Sequence, residues 1–390
     1  MNIKSLLIGS AAALMAVTGA RAADAVVVPE PEPVEYVRVC DMYGAGYFYI
    51  PGTETCLRIG GKVWYSINAT SNRGGDTPGA YDFATTNRGW QSNIEADLDV
   101  NAKSETEWGT LESFIRIRST WGVSDSSNQF LVVNTPAGVA VGAANLGTDG
   151  VTALDQAWLS IGGLRMGYTE SAWSATVNGG VSSWGSFTWN GLNYRYQQRN
   201  LVQYNFGGGN GFFGTVSLED DGNPNFIPDA VAVVGVSQGW GAVWAKVAYD
   251  EDLAPAAAAF VGPRAAGLSG VDGWAAQLGA AINVPNMPGS VFKIVGYYAN
   301  NANQYSVGGR WSVLAAYRHQ FTPAFAATIA GQYIDDTNFA AAGRPTLWQA
   351  ELGLYWTPVQ NLEFSMELNH AKATGLRGTT SGFIRATRSF

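Results

Sequence analysis

The strongest constraint in this chain is a period of two. Along Asn93-Ile94-Glu95-Ala96-Asp97-Leu98-Asp99-Val100-Asn101 every even position is apolar and every odd one polar. Asn361-Leu362-Glu363-Phe364-Ser365-Met366-Glu367-Leu368-Asn369 alternates in the same way. A strand sends successive side chains to opposite faces, whereas a helix would scatter these carboxylates around its cylinder. From Leu57 onward the pattern recurs in sixteen segments: 57–68, 91–102, 110–121, 153–162, 164–173, 199–207, 211–219, 231–239, 242–250, 273–284, 290–300, 310–321, 324–335, 347–357, 361–372 and 381–390. Each runs to about ten residues, the length a tilted strand needs to cross a bilayer. Segment 231–239 has no clear phase, because Val233 and Val234 are both apolar.

The connections alternate short and long. Short ones at 103–109, 162–163, 207–210, 240–241, 285–289, 322–323 and 358–360 carry Gly, Pro and Asn, as tight turns require. Long ones span 69–90, 122–152, 174–198, 220–230, 251–272, 301–309, 336–346 and 373–380. Strict alternation is the expectation for an antiparallel transmembrane barrel, with short turns on one side and long loops on the other. A sandwich does not need it, and a propeller would repeat a blade-sized motif. An apolar face on nearly every segment, opposite a polar one, reads as lipid outside and water inside.

Composition agrees. Only 14% of residues are charged, against about 25% in an ordinary soluble domain. The 48 glycines, 14 Trp, 17 Tyr and 17 Phe are abundant for a chain of 390 residues. Past the N-terminal segment no apolar run reaches the roughly 18–20 residues of a spanning helix. The net charge of −8 argues against nucleic acid as a partner.

Lys4, the apolar stretch Leu6 to Val17 and the small-x-small site Ala20-Arg21-Ala22 read as a signal peptide over residues 1–22. Export permits disulfides, and Cys40 and Cys56 are the only cysteines. They are read as a disulfide within a periplasmic segment, 23–56, in preference to two buried thiols. Val28-Pro29-Glu30-Pro31-Glu32-Pro33 reads as an extended tether ahead of it. The barrel domain takes the remainder, 57–390.

The run Val39-Cys40-Asp41-Met42-Tyr43-Gly44-Ala45-Gly46-Tyr47-Phe48-Tyr49-Ile50-Pro51-Gly52-Thr53-Glu54-Thr55-Cys56-Leu57-Arg58-Ile59-Gly60-Gly61 resembles the N-terminal signature of the alphaproteobacterial, rhizobial-type outer-membrane porins. Tyr196-Gln197-Gln198-Arg199-Asn200-Leu201-Val202-Gln203-Tyr204, Leu218-Glu219-Asp220-Asp221-Gly222 and Ala386-Thr387-Arg388-Ser389-Phe390 are similar to the same family. The resemblance implies a sixteen-stranded homotrimer in the outer membrane of a Gram-negative bacterium. It also implies a third outer loop folded into the lumen as a constriction.

A passive pore for ions and small hydrophilic solutes needs a wet lumen, a narrow zone and a charge pattern. Strand phase puts Arg58, Lys62, Arg116, Arg118, Arg165, Lys246, Lys293, Arg318 and Arg385 on the lumen side as basic residues. It puts Glu95, Asp97, Asp99, Glu112, Glu351, Glu363 and Glu367 there as acidic ones. Arg116 and Arg118, with Arg58 and Lys62 nearby, read as a positive wall. The third long loop has no Asp or Glu, and carries Trp184, Phe187, Trp189, Tyr194, Arg195 and Tyr196. Related porins often oppose an acidic loop to a basic wall, and this loop cannot supply the acidic half. The expectation is weak or anion-tilted selectivity, reversed if Asp97, Asp99 and Glu112 lie nearer the narrowing. The loop aromatics are read as pins to the barrel wall. Stacking on sugar rings is the alternative, and would make a substrate-selective sugar or nutrient porin.

The acidic runs Glu219-Asp220-Asp221 and Asp250-Glu251-Asp252 fall where strands meet outer loops. They read as solvated rims, with divalent-cation bridging to lipopolysaccharide phosphates as the alternative. Trp64, Trp90, Trp108, Trp158, Trp173, Trp274, Trp311, Trp348 and Trp356 include candidates for an interfacial girdle, Trp64 having lumen phase. No Walker, Rossmann or zinc pattern appears, so no cofactor or metal is implied. His319 and His370 share phase with apolar neighbours and face lipid, which leaves no base beside a nucleophile and no enzyme reading.

Overall fold

A computed structural model describes residues 38–70, 90–123, 128–135, 138–145, 151–174, 185–189, 192–220, 227–251, 272–337, 339, 344–375 and 378–390. The expected signal peptide and the proline-rich tether lie outside them. The strands are β1 (Phe48–Tyr49), β2 (Cys56–Thr70), β3 (Trp90–Thr106), β4 (Gly109–Val123), β5 (Asn128–Thr135), β6 (Gly138–Asn145), β7 (Val151–Ile161), β8 (Leu164–Glu170), β9 (Gln198–Gly207) and β10 (Phe212–Glu219). They continue as β11 (Asp229–Gln238), β12 (Gly241–Asp250), β13 (Gly273–Asn283), β14 (Val291–Ala299), β15 (Trp311–Thr322), β16 (Phe325–Asp335), β17 (Leu347–Val359), β18 (Leu362–Ala373) and β19 (Thr379–Ser389).

β2 to β4 and β7 to β19 form a closed antiparallel barrel of sixteen strands. Each pairs with its sequence neighbours, and β19 returns to β2, with Ile384 opposite Ile67 and Thr387 opposite Trp64. Closure leaves no free edge, as a sheet in lipid requires. All sixteen expected segments are strands. Gly61 shows how closely β2 lies on β3: a β-carbon there would lie 2.1 Å from the Asp97 carbonyl oxygen.

The period of two partitions the faces. Ile59, Val63, Tyr65 and Ile67 on β2, and Ile94 and Leu98 on β3, are exposed on the outside. Trp64, Ser66, Glu95 and Asp97 on the same strands are buried inside. Trp274, Tyr298 and Trp311 form an outward aromatic row near the long-loop end, with ring centroids 4.9 and 4.5 Å apart. Trp348 stacks on His370 at 5.2 Å on that same outer face. Trp158 and Trp173 are inward, not girdle residues: Trp158 packs on Phe114, and Trp173 is buried against Tyr305.

Three features depart from simple alternation. The second long loop holds a hairpin, β5–β6, where the sequence reading has no strand. β8 stops at Glu170, three residues early, because the chain turns inward there: the Ser171 N–H donates to the Gln197 carbonyl at 3.0 Å and closes the neck of the third loop. The inward faces of β11 to β15 are largely apolar or small, with Val231, Val233, Trp244, Ala275, Val295, Tyr297 and Leu314 in one buried cluster inside the barrel, interrupted by the buried Lys246, Gln277 and Lys293.

The N-terminal segment is tied to β2 by the Cys40–Cys56 disulfide. Its Tyr47 is buried, and the Tyr47 hydroxyl donates to the Asn101 side chain on β3. The Arg58 guanidinium lies 5.0 Å from the centre of the Tyr47 ring. This small lid sits at the short-turn end of β2 to β4.

Candidate functional site

The described stretches of the third loop, 171–174, 185–189 and 192–197, lie inside the barrel and are each held by its wall. At its start the Ala172 N–H donates to Glu219 on β10 at 3.0 Å. The buried Lys246 ammonium on β12 donates to the carbonyls of Trp173 and Ala172, at 2.7 and 3.2 Å. Farther along, the hydroxyls of Ser186 and Thr188 both donate to Glu351 on β17. The Tyr355 hydroxyl donates to the Phe187 carbonyl at 3.2 Å, and the Trp189 N–H to Glu367 on β18 at 2.7 Å. On the way back Asn193 and Gln332 of β16 exchange two hydrogen bonds, at 2.8 and 2.7 Å. Arg195 Nε then donates to the Gln304 carbonyl at 2.6 Å. Beneath this path Trp173 and Leu192 pack into the apolar cluster of β11 to β15, with Phe187 and Tyr194 against it. The loop therefore fills one side of the barrel. Trp184 lies outside the described residues.

The tip of the described loop is Trp189, which remains half exposed. Its ring meets Trp64 edge-on at 6.2 Å. Lys62 Nζ lies 4.6 Å and the Arg385 guanidinium 4.3 Å from its centre. Arg385 also lies within 4.3 Å of the Trp64 and Phe383 ring centres, so three aromatic faces surround one cation. Tyr196, exposed on the returning limb, points its hydroxyl at Glu170, 3.4 Å away.

The barrel wall of β2, β3, β4 and β7 carries a charged ladder. Lys62, Asp97 and Arg118 stand opposite one another on three adjacent strands. One step nearer the short turns, Asp99 stands opposite Arg116. Arg116 grips Asp99 with two hydrogen bonds at 2.7 and 2.9 Å. Arg118 grips Asp97 with two at 2.8 and 3.0 Å, and reaches Asp155 on β7 at 2.7 Å. Lys62 lies 3.3 Å from Asp97 and 3.8 Å from Glu95. Bidentate arginine–carboxylate pairs are the strong, geometrically fixed kind. Arg116 and Arg118 are thus not a bare positive wall: Lys62, Arg116 and Arg118 face Glu95, Asp97, Asp99 and Asp155.

Asp155 is absent from the sequence reading. A β-bulge places it: Arg116 pairs with Gln156 and Ile117 with Leu154, so Asp155 is an extra residue turned inward. The trace was in the sequence. Leu154 and Leu159 are both exposed outside, five residues apart, which an unbroken alternation forbids.

The other expected lumen residues fall into two groups. Arg58, Arg165 and Glu112 line the short-turn end. There Arg165 stacks over Trp158 at 4.0 Å, and Glu112 takes an N–H from Asn101 and faces Lys103 at 3.3 Å. Arg318 and Glu363 lie near the same end, Arg318 over the Tyr355 ring at 5.2 Å. Lys246, Lys293, Glu351, Glu367 and Arg385 point inward but are only 2 to 6% exposed, because the third loop lies on them. Lys293, for instance, sits 4.6 Å from the Phe187 ring centre. Glu219 and Asp250 are also fully buried rather than solvated rims: Glu219 holds the loop neck, and Asp250 accepts the Gln304 N–H at 2.6 Å. Asp221 and Asp252 lie outside the described residues.

Comparison with known proteins adds lineage to this geometry. Over 415 aligned residues the chain is 34% identical to porin Omp2b of Brucella suis biovar 1 and of Brucella melitensis biotype 1, covering all of both chains in each case. Among solved structures it resembles the outer membrane channel DcaP of Acinetobacter baumannii, with a TM-score of 0.62 at 15% identity, covering 88% of this chain and 99% of that one. OmpT of Vibrio cholerae, solved in a trimer form, gives 0.52 at 11% identity, covering 87% of this chain and all of that one. These two likenesses show the fold. The model of the Porin subfamily matches residues 24–381, from ahead of β1 into the start of β19, and with that match the chain belongs to the porins, the diffusion channels of the outer membrane.

Proposed function

We propose that this porin is a general, weakly selective diffusion channel whose narrowest zone is off-centre. It lies between the loop tip, Trp189 and Tyr196, and the charged ladder of β2, β3, β4 and β7. The observation that carries this reading is the lateral packing of the third loop. It covers the apolar faces of β11 to β15 and leaves the polar wall of β2 to β4 as the wet side. Solutes pass a surface of paired charges and one half-exposed indole.

Selectivity follows from the pairing. Fields from adjacent opposite charges cancel within a few ångströms, so a permeating ion responds mainly to the net charge of the wall. Counting Arg385 beside Trp189 and Glu170 beside Tyr196, four cations face five carboxylates, so that net is slightly negative. The anion-tilted expectation from Arg116 and Arg118 alone gives way to a weak cation preference. The disulfide lid and short turns are assigned to the periplasmic side, the long loops to the outside and lipopolysaccharide. Residues 1–22 are assigned as the cleaved signal, and the working unit as a homotrimer, by analogy with the trimer form of OmpT.

The test is single-channel conductance and reversal potential of purified, refolded protein in a planar bilayer under a salt gradient, with a sugar series on one side. Ohmic steps, a small cation preference and no saturable sugar block are expected. Saturable block by one sugar would favour a selective porin, and absence of steps from heat-modifiable protein would refute a channel.

A further inference from the structure

Asp155 differs from every other acid on the wall in how it gets there. In a regular strand it and Gln156 would point to opposite faces, and Asp155 would meet lipid. The bulge gives β7 one extra residue and turns both side chains into the lumen. Asp155 Oδ1 takes an N–H from Arg118 Nη1 at 2.7 Å, and its Oδ2 lies 3.9 Å from Arg116 Nη1. Without Asp155 the charges around the narrow zone are balanced: Glu95, Asp97, Asp99 and Glu170 beside Tyr196 stand against Lys62, Arg116, Arg118 and Arg385 beside Trp189. The facing limb of the third loop, as described over 185–189 and 192–197, contains no carboxylate, and its one cation, Arg195, is turned to the Gln304 carbonyl on the far wall. Arg58 lies four residues along β2 from Lys62, about 13 Å at strand rise and more than a Debye length at 0.1 M salt.

We propose that Asp155, carried on the bulge of β7, is the residue that sets the sign of ion selectivity. Its carboxylate tips an otherwise neutral wall toward cations. This rests on the diffusion-channel reading above. It goes further by assigning the preference to one side chain outside the regular alternation.

The experiment is the reversal potential of wild type, Asp155→Asn, Asp155→Glu and Glu54→Gln, the last removing one charge from the exposed surface of the disulfide lid. For an ion passing about 7 Å from the carboxylate, screened Coulomb interaction gives an expected fall of about threefold in the cation-to-anion permeability ratio of Asp155→Asn at 0.1 M KCl, shrinking to about 1.2-fold at 1 M. Asp155→Glu restores the wild-type sign, and Glu54→Gln leaves it unmoved. Conductance with an unshifted Asp155→Asn overturns the proposal while leaving the channel reading intact. So does an Asp155→Glu variant that behaves like Asp155→Asn, since geometry and not charge would then be at work. A Glu54→Gln shift as large as that of Asp155→Asn overturns it too, because total charge would then suffice. Folded wild type that conducts nothing removes the channel reading and the proposal together.

Discussion

Removing the Glu351 carboxylate tests whether the barrel holds the loop in the way the contacts imply. Glu351 is 4% exposed and accepts three hydrogen bonds: from Ser186 and Thr188 on the loop, and from Asn369 on β18 at 3.1 Å. Hydrogen bonds to a charged group contribute about 1.5–3 kcal/mol each. Glu351→Ala therefore costs the docked loop about 3 kcal/mol at the low end, and strands two hydroxyls. That is about a hundredfold more of the undocked state, at roughly 1.4 kcal/mol per factor of ten. The Trp189–Glu367 and Asn193–Gln332 bonds remain, so the loop loosens locally and does not leave. The sixteen-strand ladder is untouched, so heat-modifiable migration should match wild type. Glu351→Gln keeps one accepting oxygen and should fall between. The assay is single-channel recording, with open-channel noise and sub-conductance dwell as readouts: both rise in the order wild type, Gln, Ala. If both variants record like wild type while remaining folded, the carboxylate does not restrain the loop, and the argument from these hydrogen bonds fails.

Other expectations follow from the same geometry. Trp189→Ala removes the ring between Lys62 and Arg385 and should raise both conductance and the size limit in a polyethylene-glycol exclusion series; an unchanged limit would place the narrowing elsewhere. Cys40→Ser opens a loop of 16-residue separation and should cost that segment about 3 kcal/mol on the chain-entropy model, seen as faster proteolysis between the former cysteines with the barrel band intact. Leu278→Arg puts a charge on the lipid face at the middle of β13, where Leu278 is 69% exposed, and should cost about 2–4 kcal/mol, measured as folding yield into vesicles.

The strands were legible because lipid outside and water inside impose the alternation directly on the residues. The ion pairs were not, and the reason is one turn. Reading the connection between the second and third barrel strands as 103–109 leaves their register undefined. In the structure β3 runs on to Thr106, which pairs with Gly109 around the two residues Glu107-Trp108. A two-residue turn fixes register along the whole hairpin. It forces Asp97 opposite Arg118, Asp99 opposite Arg116 and Lys103 opposite Glu112. The apolar floor left a trace as well. The unclear phase of 231–239 comes from a strand that is apolar on both faces: Val231 and Val233 lie under the loop, while Val234 faces outward to lipid. Apolar surroundings on both faces erase alternation for the same reason they do in parallel sheets covered on both sides.

The third loop's lack of acids has a physical partner in the wall beneath it. Three barrel carboxylates, Glu219, Glu351 and Glu367, are buried at its contact line, and each accepts from the loop: from the Ala172 N–H, from the hydroxyls of Ser186 and Thr188, and from the Trp189 N–H. At these three carboxylates the loop is the donor and the barrel the acceptor, while Lys246, Tyr355 and Gln332 donate the other way to loop carbonyls. A buried carboxylate needs hydrogen bonds or opposite charge to offset its desolvation. A loop acid beside these three would bring repulsion instead. Related porins place acids on the loop to face a basic wall and build a field across the pore. Here the loop's polar groups are committed to docking, so acids that compensate Arg116 and Arg118 must come from neighbouring strands. Asp97 and Asp99 do so by register, and Asp155 by a bulge. The field then runs along the wall and not across the lumen. On the proposed reading, short-range contacts with the wall then steer solutes, and the net charge left over steers ions.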